Sequence, residues 1–115
     1  MQAAILKERQ IVDKAIDALT THFPMLVEWE TAHLVDKKAS INGFLLLQNK
    51  RIAAEVKGDF RMHQLSRLLE QKAENEAFIL IANVLPDNIK IKLKELGINY
   101  LDTAGNAFFY RLLQS

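Results

Sequence analysis

Glu55 and Lys57 are the residues whose types and spacing could carry out chemistry in this chain. They lie in the stretch 50–59, KRIAAEVKGD, whose side chains alternate as in a β-strand. Because successive side chains of a strand point to opposite faces, Glu55 and Lys57 share one face. A carboxylate can bind Mg²⁺ and a neighbouring ammonium can position a water or offset phosphorane charge, which is metal-dependent phosphodiester chemistry. The same spacing also fits a half-exposed strand whose two charges face water.

The composition is that of an ordinary folded domain. Of the 115 residues, 50% are hydrophobic and 25% are charged, which excludes a disordered or fibrous chain. The absence of cysteine excludes disulfides, a thiolate nucleophile and a cysteine-type zinc site. Charged residues interrupt the apolar ones at the N-terminus, so we expect no signal peptide or membrane span and a cytoplasmic protein. The net charge of +1 gives no global basic footprint for nucleic acid, so such contacts would need local patches or a part not present here.

The apolar spacing predicts three helices and six strands around Glu55 and Lys57. Helices are expected at 3–23, 61–73 and 86–96, and strands at 25–33, 41–48, 50–57, 77–83, 98–102 and 107–113, with a polar connection at 36–40. Pro24 ends the first helix, Gly58 and Asp59 cap the second, and Gly97 follows the third. The order αβββαβαββ predicts an α/β fold in which a mixed sheet is flanked by helices.

A hairpin and a helix are predicted beside Glu55. Asn49 and Lys50 are expected to form the two-residue turn between the second and third strands, which puts Asn42 opposite Glu55. We expect Glu55 and Lys57 on one strand face, with Asn42 within reach of an ion shared with Glu55. The second helix is expected to have an apolar face made of Met62, Leu65, Leu68, Leu69 and Ala73 and a polar face made of Arg61, Gln64, Arg67 and Gln71.

Polar residues mark the ends of three strands that we expect to be parallel neighbours. If right-handed crossovers join these strands, their carboxyl ends open on one edge, where α/β sheets bind ligands. The same residues also fit strand ends that simply enter turns. The predicted cleft is lined by Glu55, Lys57, Asn83 and Asp102, with Thr103 and Asn106 beside them.

Two segments carry a resemblance to known families. The order αβββαβ over 3–83, with Glu-x-Lys on its third strand, resembles the core of the PD-(D/E)xK nuclease superfamily, the restriction-endonuclease-like fold. The segment 93–108, LKELGINYLDTAGNAF, is similar to the LRELGxxxxDTAGNAY signature of bacterial AbiEi-like type IV antitoxins and transcriptional regulators. In that family a nuclease-like domain precedes a winged-helix DNA-binding domain. The resemblance implies that 1–115 is one restriction-endonuclease-like domain; a winged helix is not recognisable in it, so we expect a fragment or a solitary domain.

The resemblance also assigns roles at the strand edge. It implies Glu55 as a metal ligand and Lys57 as the catalytic lysine. Active members of the superfamily have a second metal-binding residue, an Asp that is often followed by Gly, near the start of the second core strand. Asn42, followed by Gly43, matches this position and offers only a neutral carbonyl. We therefore expect Mg²⁺ to bind weakly and DNA cleavage to be absent.

Three functions stay open from the sequence. The first is a catalytically degenerate nuclease-like domain of a bacterial regulator, which contacts DNA or a protein partner and is not an enzyme. The second is an active Mg²⁺-dependent DNA endonuclease in which a displaced carboxylate replaces Asn42. The third is an oligomerisation module, and a homodimer is compatible with this chain.

The remaining candidate residues form weaker patterns. His22, His33 and His63 lack the i,i+4 spacing that a zinc-binding helix needs. Lys90, Lys92 and Lys94 form a basic run that fits either a solvated helix face or a phosphate-contacting patch.

The turn at 102–106 is expected to have a structural role. Gly105 and Asn106 tolerate positive φ, and Asp102 and Thr103 can bond nearby N–H groups. These features predict that Gly105→Val costs about 1–3 kcal/mol and that Asp102→Asn is mild.

Overall fold

Three helices and a six-stranded sheet make up the structure, a computed structural model that describes residues 2–32, 41–110 and 112. The predicted order αβββαβαββ and the mixed sheet flanked by helices are confirmed. The helices are α1 (Gln2–His22), α2 (Leu65–Glu74) and α3 (Asp87–Glu95), and a 3₁₀ turn (Met62–Gln64) precedes α2. The strands are β1 (Val27–Thr31), β2 (Gly43–Leu47), β3 (Lys50–Lys57), β4 (Phe78–Ala82), β5 (Asn99–Asp102) and β6 (Ala107–Phe108).

Several element ends differ from the prediction. β1 and β6 are shorter than expected, and Gly58 and Asp59 form a bend rather than a helix cap, since the 3₁₀ turn begins only at Met62. His33 and the predicted connection at 36–40 lie outside the described residues, as do 111 and 113–115. Among the described helices, none is long and apolar enough to cross a membrane.

The strands follow one another in chain order across the sheet, β1-β2-β3-β4-β5-β6. The first three are antiparallel, β3, β4 and β5 are parallel, and β6 is antiparallel to β5. The predicted parallel core is therefore present, and helical connections separate its strands. Lys57, Ala82 and Asp102 lie side by side at one end of it, which we call the carboxyl edge, and the opposite end is the amino edge.

Both faces of the central strands are covered by helices, which explains why β4 is buried along its whole length. Along β3, Ile52, Ala54 and Val56 face the core under α1, and the intervening Ala53 faces the core under α2 and α3. The α1 core contains Val12, Ala15, Leu19, Leu45, Ile79 and Leu101, and the second core contains Phe60, Leu68, Leu80, Ile89, Leu93 and Tyr100. The side chains of β3 thus alternate between the two faces of the sheet, as predicted, and both faces are buried.

The turn between β2 and β3 is one residue earlier than predicted. Gln48 and Asn49, not Asn49 and Lys50, form it, with φ values of 48° and 69°. Two consecutive positive φ values are those of a type I′ turn, whose twist matches that of the strands. The register nevertheless pairs Gly43 with Ala54, and the Asn42 N–H donates to the Ala54 carbonyl at 2.9 Å, so Asn42 does come next to Glu55.

The predicted faces of α2 were partly wrong. Leu68 is buried as expected, but Met62 and Leu69 are exposed, while Gln71 is buried with only 3% of its surface accessible. Residues 68 and 71 are three positions apart and therefore lie on the same side of the helix. The inner stripe of α2 consequently brings a polar side chain against the sheet.

Candidate functional site

The predicted pair Glu55 and Lys57 forms an ion pair at the carboxyl end of β3. The Lys57 Nζ lies 3.2 Å from the Glu55 Oε1, so the two side chains share one strand face as predicted. The Glu55 side chain is 5% exposed and that of Lys57 is 33% exposed. The pair therefore buries its carboxylate and presents its ammonium to solvent.

Gln71 of α2 is a member of this site that the sequence reasoning missed. Its Nε2 donates a hydrogen bond of 2.9 Å to the Glu55 Oε2, and both residues are buried. With Lys57 on one oxygen and Gln71 on the other, both oxygens of the carboxylate have partners. The signal that could have found it is its spacing of three from the apolar Leu68, on the stripe that faces the sheet.

Asn42 is next to Glu55 in the strand register, but its side chain bonds towards α1, whereas Glu55 bonds towards α2. Its Oδ1 accepts the Val56 N–H at 2.6 Å, and its Nδ2 donates to the Glu8 Oε1 at 3.0 Å. The side chain therefore continues the β2–β3 ladder beyond Gly43 and ties it to the helix. Glu8, on the first helix and 34 residues before Asn42, is a second member that the sequence reasoning missed.

The electrostatic surroundings of Glu8 connect it to the pair on β3. Burial raises the pKa of the Glu8 carboxyl, the hydrogen bond from Asn42 lowers it, and the negative charge of Glu55 raises it again. The positive charge of Lys57 makes a smaller, opposing contribution to this pKa. A raised pKa means that the Glu8 carboxyl stabilises the fold most when protonated, and that contribution is lost as the pH rises through the pKa.

A cavity of about 640 Å³ opens at the carboxyl edge beside this cluster. Lys57 and Asn83 of the predicted cleft both line it, together with Glu8, Lys7 and Lys14 from α1. Glu55 does not line it, and its carboxylate is instead bonded to Gln71 of α2. The surface offered to a ligand is consequently richer in ammonium groups than in carboxylates.

Asp102 occupies the carboxyl edge but faces inward. It is completely buried and accepts four hydrogen bonds. Its Oδ2 accepts from the Leu85 N–H at 3.0 Å and the Asn106 Nδ2 at 2.9 Å, and its Oδ1 accepts from the Ala104 and Asn106 N–H groups at 3.0 Å each. Asp102 therefore holds the turn after β5 closed against the segment before α3.

The other predicted cleft residues on this turn are also used structurally. The Asn106 side-chain amide donates to Asp102, and the Thr103 N–H donates to the Ala82 carbonyl at 3.1 Å. Neither residue lines the cavity beside Lys57. Of the six predicted cleft residues, the structure therefore brings only Lys57 and Asn83 to its wall.

The histidines form no site among the described residues, whereas Lys90 and Lys94 of α3 line a separate cavity of about 390 Å³ with Asn106. His22 is at the exposed end of α1 and His63 is exposed in the 3₁₀ turn. Lys90 pairs with Asp87 at 3.2 Å and Lys92 with Glu95 at 3.7 Å, as expected of a solvated helix face. In the part of the chain that the structure describes, no three acidic or histidine side chains converge as metal ligands would.

Comparison of the chain with protein-family models, with curated proteins and with solved structures found no match.

Proposed function

We propose that this chain is a catalytically degenerate nuclease-like domain of a cytoplasmic bacterial regulator of the AbiEi-like antitoxin type, which contacts DNA or a protein partner. The αβββαβ order with Glu55 and Lys57 at the end of β3 supports the nuclease-like part of the proposal. The DTAGN run at 102–106 supports the link to the regulators.

The state of Asn42 is the observation that carries the proposal. This residue stands where an active nuclease of the superfamily needs its second carboxylate, and both of its polar atoms are already bonded within the protein. A neutral amide that donates to Glu8 and accepts from Val56 offers neither charge nor an unbonded oxygen to a hard cation. The position has therefore become part of the scaffold.

The remaining donors do not fit a tightly held Mg²⁺ ion. Magnesium requires near-octahedral oxygen coordination, and both Glu55 oxygens are engaged by Lys57 and Gln71. An ion would have to displace one of these partners from a buried carboxylate. Weak binding of Mg²⁺ is the expected consequence.

An active Mg²⁺-dependent endonuclease is the second candidate, and Glu8 is the observation that favours it. Its carboxylate lies 3.0 Å from the Asn42 amide, and the negative charge of Glu55 contributes to raising its pKa, after burial. Glu8 could thus be the displaced carboxylate that replaces an Asp at position 42. In that case Glu55 and Glu8 would hold the ion, and Lys57 would be the catalytic lysine.

A cleavage assay distinguishes the two candidates. We expect the purified protein to leave supercoiled and linear DNA intact with Mg²⁺ at millimolar concentration, because the site lacks its second anionic ligand. Nicking that depends on Mg²⁺ and disappears in Glu55→Ala and in Glu8→Gln would establish the active nuclease instead.

Asn42→Asp is the informative companion variant. The substitution removes the Nδ2 donor and places a second carboxylate against Glu8, so we expect the melting temperature to fall in EDTA. Its recovery with Mg²⁺ would show that the rest of the metal site is in place. Asn83→Asp is the matched control, since it adds the same charge at an exposed position of the same edge. Equal responses of the two variants to Mg²⁺ would mean that the rest of the metal site is not in place.

A further inference from the structure

A second cavity, of about 430 Å³, lies at the amino edge, at the opposite end of β3 from Glu55. Lys50 and Arg51 at the start of β3 form one wall, Lys72 and the segment 75–78 after α2 form another, and Tyr110 closes a third. A cavity of this size can enclose a small organic molecule. Its position separates it from the residues on which the proposed function rests.

Unpaired positive charge is the main chemical property of this cavity. Arg51 is engaged, since its guanidinium pairs with Glu30 at 2.6 Å and lies 3.6 Å from the centre of the Phe44 ring. Lys50 and Lys72, in contrast, form no ion pair with any described residue. Glu76 is the one carboxylate among the lining residues. The charge balance therefore favours an anionic ligand.

A helix end explains the presence of Lys72 at the amino edge, but not that of Lys50. The C-terminal ends of α2 and α3 approach the amino edge and bring partial negative charge there. Lys72, in the last turn of α2, offsets that charge for its own helix. Lys50 belongs to a strand and is half-buried, so its charge serves no helix end and stays available to a bound anion.

Tyr110 gives the cavity a flat aromatic wall in a fixed orientation. Its ring stacks on Phe108 with a centroid distance of 6.1 Å and an interplanar angle of 7°, and Phe108 in turn stacks on the buried Tyr100 at 5.9 Å. Nevertheless 46% of the Tyr110 surface stays exposed. A half-exposed ring that is held by stacking is suited to bind the flat face of a heterocycle.

From this juxtaposition we propose that the amino-edge cavity binds a nucleoside monophosphate, with the phosphate at Lys50 and Lys72 and the base against Tyr110. Two lysines without an ion pair among the described residues and one aromatic wall, all lining one cavity, match the two ends of such a ligand. The Glu76 carboxylate and the Asn75 amide, which also line the cavity, can bond ribose hydroxyls or base amino groups. The same chemistry is offered by a free mononucleotide and by the 5′-phosphorylated end of a nucleic-acid strand.

Calorimetric titration with AMP tests the proposal. We expect saturable binding to the wild-type protein, at least tenfold weaker binding to Lys50→Gln and to Lys72→Gln, and unchanged binding to Lys92→Gln, which removes a lysine outside the cavity. Tyr110→Leu should weaken AMP and leave inorganic phosphate unaffected, and adenosine should bind at least tenfold more weakly than AMP. A 5′-phosphorylated oligonucleotide that competes with AMP assigns the site to strand ends, and failure to compete assigns it to the free nucleotide.

Three results would overturn the proposal. These are no saturable AMP binding at millimolar concentration, wild-type affinity in both Lys50→Gln and Lys72→Gln, or loss of binding in Lys7→Gln and Lys14→Gln at the carboxyl edge instead. Thermal melts of each variant serve as the control that it is folded. Because Lys50, Lys72 and Tyr110 lie at the amino edge, away from the Glu55 cluster, DNA cleavage assays report on the proposed function separately.

Discussion

Asn42 and Asp102 are two polar residues at the carboxyl edge that use their side-chain atoms to hold the backbone. Asn42 bonds the Val56 N–H and the Glu8 carboxylate, and Asp102 receives four hydrogen bonds while completely buried. A buried polar group without its partners costs more than a typical hydrogen bond contributes. Their polarity is thus explained by structure, and the cavity at this edge offers a ligand three lysines beside the carboxylates of Glu8 and Asp59.

Asp102→Asn should be strongly destabilising, contrary to the mild effect expected from the sequence. In the amide, one oxygen is replaced by an NH₂ group that faces N–H donors, so at least one buried donor loses its acceptor. We expect the free energy of unfolding to fall by about 2–3 kcal/mol. Urea denaturation measures this change.

Two further substitutions calibrate that result. Asp59→Asn makes the same change at an exposed carboxylate and should stay within about 0.5 kcal/mol. Gly105→Val should also destabilise by about 1–3 kcal/mol, because Gly105 has φ +89° and a Cβ there would lie 3.3 Å from the Ala18 carbonyl oxygen of α1. If Asp102→Asn matched Asp59→Asn, the four hydrogen bonds would carry no net stability.

At the scale of elements, α2 is attached to the sheet by a polar contact as well as by its apolar stripe. Gln71 and Leu68 both face inward, and Gln71 reaches Glu55 on β3. Removing this donor leaves a buried carboxylate oxygen without its partner. The contact therefore links the position of α2 to the orientation of the Glu55 side chain.

A double-mutant cycle measures this link. Gln71→Met keeps the side-chain volume and should lower the free energy of unfolding by about 1–3 kcal/mol in the presence of Glu55. The same substitution should cost less in a Glu55→Gln background, where no buried charge is left uncompensated, giving a coupling of about 1 kcal/mol. Arg67→Met, at an exposed position of α2, is the control. Additive effects of Gln71→Met and Glu55→Gln would show that the contact is energetically silent.

Across the whole molecule, local sequence patterns predicted the element order and the direction of β3, β4 and β5. Apolar residues recur every two positions in strands and about every 3.6 positions in helices, so this spacing can be read from the sequence. These patterns also predicted that Glu55 and Lys57 share a face. Partners that depend on tertiary packing were harder to predict. Glu8 is 34 residues from Asn42, and for Gln71 the sequence offers only its spacing of three from Leu68, which does not identify Glu55 as its partner. The predicted position of the turn between β2 and β3 was wrong by one residue, because glutamine is not a residue type that usually adopts positive φ, as Gln48 does here.

Charge distribution over the molecule favours one surface for DNA. Lys7 and Lys14 are seven residues apart on α1, line the carboxyl-edge cavity with Lys57, and form no ion pair with a described residue. On α3, by comparison, Lys90 and Lys92 are paired with acidic neighbours. An anionic backbone would gain more from the unpaired α1 lysines than from the α3 run, in which two of the three lysines are locally neutralised.

Salt-dependent DNA binding tests this surface. We expect the wild-type protein to bind duplex DNA weakly, with an affinity that falls as salt rises, because only a few phosphates can be neutralised by a chain of net charge +1. Lys7→Gln combined with Lys14→Gln should weaken binding at least fivefold and reduce the slope of log affinity against log salt by up to about 2. Lys90→Gln combined with Lys92→Gln removes the same net charge from α3 and should change both quantities much less. A larger loss in the α3 variant would assign the DNA surface to that helix, and no measurable DNA binding in any variant would leave a protein as the partner of the proposed regulator.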